Sequence, residues 1–65
     1  MEDYQKRVLR EKAALDDKIY DLCAFMQGEV YTTLPPIEQG LLMVQIVAME
    51  NYSETLLRRT GIFDL

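Results

Sequence analysis

Few side chains in this 65-residue chain are equipped for covalent chemistry. There is no histidine to act as a general base, Cys23 is the single thiol and Ser53 the single serine. Neither a G-x-S-x-G elbow nor a phosphate-binding loop occurs. A nucleophilic Cys23 would need a neighbour that stabilises its thiolate. On the flank of an apolar helical stripe it reads instead as a buried structural cysteine. Asp16, Asp17 and Asp21 form an acidic group in which Asp17 and Asp21 lie one helical turn apart. Carboxylates on one exposed helix read as a solvated face rather than a metal site. The expectation is a protein that is not an enzyme, with no catalytic residue, metal or cofactor.

The basic residues offer a different chemistry, the holding of an anion. Lys6, Arg7, Arg10 and Lys12 lie early in the chain, and Arg58 and Arg59 lie near its end. An antiparallel hairpin would bring these two groups together, with Asp16, Asp17, Asp21, Glu29 and Glu38 toward the opposite, loop end. The molecule is therefore expected to be bipolar, although 11 acidic against 7 basic residues leave it at −4. That net charge argues against general nucleic-acid binding. Lys6, Arg7, Arg10, Arg58 and Arg59 make a candidate site for a phosphate or nucleotide. The blander reading is a solvated surface laced by Glu2–Lys6, Asp3–Arg7 and Glu54–Arg58 pairs at i,i+4 spacing.

Two helices must position these groups, and together they make one helical-hairpin domain over residues 1–65. The first is expected from about 2 to 27, a stretch without Gly or Pro. Tyr4, Val8, Leu15, Ile19, Leu22 and Met26 form its apolar stripe, and Val8, Leu15 and Leu22 recur at the coiled-coil interval. Leu9, Ala13, Tyr20 and Ala24 form a weaker second stripe. Gly28 is the expected left-handed C-cap. In the connection Glu29–Leu34, Val30, Tyr31 or Leu34 is expected to fold back onto the hairpin. Pro36 then opens the second helix at its first turn, with Glu38 favouring the helix dipole. This helix is expected from about 36 to 60, stopped by Gly61, with Ile62 making the apolar contact of a Schellman cap.

The segment Leu41–Met49, LLMVQIVAM, is apolar nearly all the way round, with Gln45 its only polar residue. So short a chain cannot wrap such a helix, and chains of this size usually need a staple. One cysteine excludes an intramolecular disulfide, and the missing histidine argues against structural zinc. Oligomerisation remains, and two hairpins packed face to face make an all-α, homodimeric four-helix bundle. The expected core and dimer interface comprises Val8, Leu15, Leu22, Leu41, Leu42, Gln45, Met49, Tyr52 and Leu56. Gln45 would lie inside that face and meet its symmetry mate, fixing register and oligomeric state. Tyr52 and Tyr4 would be neighbours. Met43, Ile46 and Val47 would cover the opposite side, with Met43 and Val47 the candidate partner surface. The apolar run is about half a membrane span, and Met1 leads into acidic, amphipathic sequence without an apolar signal core. A cytoplasmic protein is expected.

The chain resembles a family of small helical proteins of tailed phages and prophages. The resemblance rests on YQ-x-RV at Tyr4–Val8, EK-x-x-L-D-x-K at Glu11–Lys18, LP-x-x-EQ at Leu34–Gln39, LL-x-x-Q at Leu41–Gln45, M-x-x-Y at Met49–Tyr52 and L-x-R at Leu57–Arg59. The family includes a protein of the lambdoid early region encoded between the recombination and excision genes. The resemblance implies a helical, dimer-forming accessory protein, expressed early and acting on host physiology in the host cytoplasm, and it supplies no catalytic or ligand residues. The expected function is a non-enzymatic interaction module that binds itself and a host or phage protein. Two alternatives use the charged ends: sequestration of small nucleotide signals at the basic end, or acidic DNA mimicry at the loop end.

Overall fold

The computed structural model describes residues 2–63, and three helices account for most of them: α1 Asp3–Met26, α2 Glu29–Thr33 and α3 Pro36–Gly61. Helices α1 and α3 pack side by side and antiparallel, so that Lys12 meets Ser53 and Tyr4 meets Phe63. The molecule measures 47 × 15 × 13 Å, the section of two helices and no more. Its radius of gyration is 14.9 Å, against about 11 Å for a compact domain of this length.

Helix α1 opens on Glu2, whose backbone N–H donates to the Gln5 side chain at 2.9 Å. That bond satisfies one of the donors a helix start leaves free. The helix ends at Gln27 with its backbone still in the right-handed region. Gly28 is extended (φ −90°, ψ 171°), and no residue among those described has a positive φ. The expectation of a left-handed glycine cap is therefore corrected: α2 restarts one residue later and leaves no room for a Schellman turn. Gly61 likewise ends α3 from inside the helix, and Ile62 is exposed rather than packed.

The connection is built on α2, which reaches back through Tyr31. Its ring meets Phe25 edge-on with centroids 6.4 Å apart, and its Oη donates to the Gln39 carbonyl at 3.2 Å. The Gln39 amide in turn donates to the Leu34 carbonyl at 2.9 Å. Pro35 precedes the helix and Pro36 takes its first position, where a missing N–H costs nothing. Thus the turn is cross-tied on both sides of the two prolines.

Candidate functional site

Which face of each helix turns inward decides everything about the surface. On α3 the residues withdrawn from solvent are Gln39, Leu42, Ile46, Met49, Ser53, Leu56 and Thr60. They alternate at intervals of three and four without a break, which is the seam of a coiled coil. On α1, Gln5, Val8, Lys12, Leu15, Ile19, Leu22 and Met26 follow the same rule, with Cys23 half-buried beside them. Val8, Ile46, Leu56 and Ser53 are the buried residues, and Leu56 is fully enclosed.

The list of interface residues read from the sequence therefore divides. Val8, Leu15, Leu22, Leu42, Met49 and Leu56 line the seam inside one chain, while Leu41, Gln45 and Tyr52 stand outside it and are exposed. Ile46, expected on the far side, is buried in the seam. The reason is periodic. A seam at intervals of three and four passes through Leu42, Ile46 and Met49, and it rotates Leu41, Gln45 and Tyr52 away from α1. The Gln45 amide donates to the Met49 sulfur, at 4.0 Å in its own helix. The premise that it lies on an apolar seam is thus corrected. Tyr4 and Tyr52 are not neighbours either. Lys12 opposite Ser53 sets a register that carries Tyr4 past the end of α3 to Phe63, with ring centroids 6.0 Å apart. Leu65, the other apolar residue of the tail, lies outside the described residues.

One polar layer interrupts the seam. The Lys12 Nζ donates to Asp16 Oδ2 at 2.7 Å and to Ser53 Oγ at 3.0 Å, and Ser53 Oγ donates to Asp16 Oδ1. The Lys12 ammonium and the Ser53 hydroxyl hold the Asp16 carboxyl below its usual range. No buried polar side-chain atom among the described residues lacks a partner. Asp16 and Lys12 are thus drawn out of the acidic and basic groups in which the sequence placed them. The spacing of Lys12 at an inward position between Val8 and Leu15 was the signal available for this.

Lys6, Arg7, Arg10, Arg58 and Arg59 are all exposed, on the end of the hairpin that carries the termini. Arg58 bonds Glu54 at 3.2 Å, with both side chains more than half open to solvent. Such a pair holds the arginine weakly. The other ion pair among the described residues is Lys12–Asp16, so Glu2–Lys6 and Asp3–Arg7 do not form. The described residues enclose no cavity, and they contain no cluster of three or more His, Cys, Asp or Glu side chains able to hold a metal. No described helix is long and apolar enough to cross a membrane.

The largest surface feature lies on α3, directly opposite its seam. Ile37, Leu41, Val44 and Val47 are 73, 62, 67 and 56% exposed, and Gly40 and Ala48 complete an uncharged strip. Met43 flanks it. With the fold, the seam and this bare strip in view, the kinship of the chain can be stated. The family model described as Sequestin matches residues 2–62. The chain belongs to the Sequestin family. A relative in Enterobacteria phage T4, described as an uncharacterized 7.5 kDa protein in the denB–rIIB intergenic region, is 37% identical over 60 residues. That alignment covers 92% of this chain and 94% of the relative. No solved structure matches the chain. The expectation of a small phage protein family is met by this membership, and the Sequestin chain is all-helical as expected.

Proposed function

We propose that this Sequestin-family chain is a non-enzymatic phage accessory protein that acts by sequestration, as a homodimer, in the host cytoplasm. Its cargo is a small anionic molecule of the nucleotide class, taken up at the end where the two termini meet. The observation that carries this reading is the gathering of Lys6, Arg7, Arg10, Arg58 and Arg59 from opposite ends of the sequence onto one end of the hairpin, all exposed. Arginine suits phosphate because its planar fork donates two parallel hydrogen bonds. The family name, Sequestin, suggests sequestering and so supports capture over turnover. So does the scarcity of catalytic groups in the sequence. Kinship with the lambdoid early-region protein belongs to the same reading and rests on the LP-x-x-EQ stretch at Leu34–Gln39.

Calorimetric titration with linear and cyclic nucleotides tests it. Binding is expected for the native chain and abolished in the double variant Arg58→Glu, Arg59→Glu. No heat and no melting shift with any nucleotide would sink it. A second reading, capture of a host or phage protein, is favoured by the exposure of Met43 and Val47. It predicts that the same double variant retains its partner, whereas Met43→Glu, Val47→Glu loses it.

A further inference from the structure

The core of this hairpin is the seam between α1 and α3, and its contacts do not depend on both helices belonging to one chain. Were the turn to open, α1 of one copy would lie on α3 of another with the seam intact, Lys12–Ser53 and Tyr4–Phe63 included. Such an exchange of identical elements is a low-cost route from a closed unit to a dimer. The backbone of the turn does not oppose it. Gly28, Leu34 and Pro35 are extended already, with ψ of 171°, 150° and 145°, so the chain can swing there without strain.

What opening would break is gathered on one side chain. The Tyr31 ring meets Phe25 edge-on with centroids 6.4 Å apart, and its Oη donates to the Gln39 carbonyl at 3.2 Å. A swing about Gly28 parts Tyr31 from Phe25. A swing about Leu34 and Pro35 parts it from Gln39, and also breaks the 2.9 Å bond from the Gln39 amide to the Leu34 carbonyl. We propose that Tyr31 is a latch that keeps each chain closed on itself, against a swapped dimer built on the same seam. The latch does not depend on the homodimer reading above, because closed hairpins remain free to pair through another surface.

Symmetry doubles the effect of the latch. The weaker hinge is Gly28, tied by the ring contact, and a contact of that kind is worth about fivefold in an equilibrium constant. A swapped dimer opens two turns, so the factor enters squared, as ~25-fold. Charge acts in the same direction. Swapped chains cross at their turns, which brings the two loop ends side by side. No lysine or arginine lies between Lys18 and Arg58, while Asp21, Glu29 and Glu38 stand exposed at this end. Like charges brought together oppose the crossing, and salt relieves them. Closure also keeps Arg7 and Arg10 with the Arg58 and Arg59 of the same chain, so each copy carries a whole basic end.

Isotope-labelled and unlabelled full-length chains, refolded together, test the latch by magnetic resonance. The Tyr4–Phe63 contact lies within a chain when the hairpin is closed and between chains when it is swapped, whatever other dimer forms. The native chain should give no Tyr4–Phe63 cross-peak between labelled and unlabelled copies. Tyr31→Ala should give one, its swapped dimer forming at ~25-fold lower concentration than any formed by the native chain. Phe25→Leu breaks the same ring contact without altering the turn and should swap too, so it decides the matter if Tyr31→Ala loses its helicity by circular dichroism. Val30→Ala, an exposed neighbour of Tyr31 in α2, should stay closed. A native chain that is itself swapped, or folded Tyr31→Ala and Phe25→Leu proteins without the cross-peak, would overturn the latch. Swapping by Val30→Ala to the same extent would overturn the assignment to Tyr31.

Discussion

Helices α1 and α3 are nearly equal in length, meet along matching seams and differ completely on their outward sides. The outer side of α1 presents Asp3, Lys6, Arg7, Arg10, Asp17 and Asp21 to water, with Ala13, Ala14 and the 75% exposed Tyr20 between them. That of α3 presents Ile37, Leu41, Val44 and Val47 and turns polar only from Glu50 onward. A charged outer face marks a helix that has finished packing. An apolar one, more than half exposed over four consecutive large residues, marks a helix with packing still to do. The lesson of the pair is that two helices can share one seam and still leave different surfaces in water, mostly charged on α1 and mostly aliphatic on the first half of α3.

The contrast between inner and outer faces of α3 is broken most forcefully at Leu56. Leu56→Ala should cost ~2–5 kcal/mol in chemical denaturation, the range for emptying an enclosed leucine site. For so small a domain that loss is enough to unfold much of the population. The matching outer substitution, Val44→Ala, should change the stability of the monomer by less than ~0.5 kcal/mol, as surface changes usually do. Equal losses at the two positions would erase the distinction between faces.

Ser53→Ala probes the polar layer of the seam. Removing the hydroxyl takes a shared partner from Lys12 and Asp16, which stay bonded to each other and open to water, so about 0.5–1.5 kcal/mol should be lost on thermal melting. Gly40→Ala sharpens the outer face in the other direction. Nothing lies within 4 Å of an added Cβ, so the expected outcome is a gain of up to ~1 kcal/mol from helix propensity alone. A loss would mean that the glycine is needed for something beyond the isolated hairpin.

The smallest effect is expected from acid. Lys12 and Ser53 favour the charged form of Asp16, so its folded pKa lies below its unfolded one. Its contribution to stability is therefore present above the unfolded value and fades as pH falls through the folded one. Melting temperatures taken from pH 6 down to pH 2 should fall less in Asp16→Asn than in the native chain. An identical acid slope in both would place the acid sensitivity elsewhere.

Much of the fold was legible in the residues. The long uninterrupted run to Gln27 and the Pro35–Pro36 restart follow from local rules of propensity and backbone geometry, whereas Val30, Tyr31 and Leu34 were equal candidates to fold back until the structure chose Tyr31 and left Val30 exposed. The gathering of basic residues at one end followed from antiparallel topology alone. The caps were less legible, because Gly28 and Gly61 are used in ordinary right-handed or extended conformations that other residues also adopt. The direction in which Leu41–Met49 faces was not legible at all. When a stretch is apolar on every side, burying one face releases about as much free energy as burying another, so hydrophobicity cannot choose between them.

What the sequence by itself determined, then, is two helices, one break and a bipolar hairpin, since each depends on neighbours in the chain. Which stripe of α3 becomes the core was decided only in the tertiary structure. There the seam of α1 must match it layer by layer, and Lys12 and Asp16 must find Ser53. That polar layer favours one rotation of α3, because the buried Ser53 hydroxyl takes directional partners in Lys12 and Asp16, whereas leucine packs on almost any apolar side chain. Once Ser53 faces inward, Ile46 and Leu56 follow it, and Leu41 and Val44 are left outside.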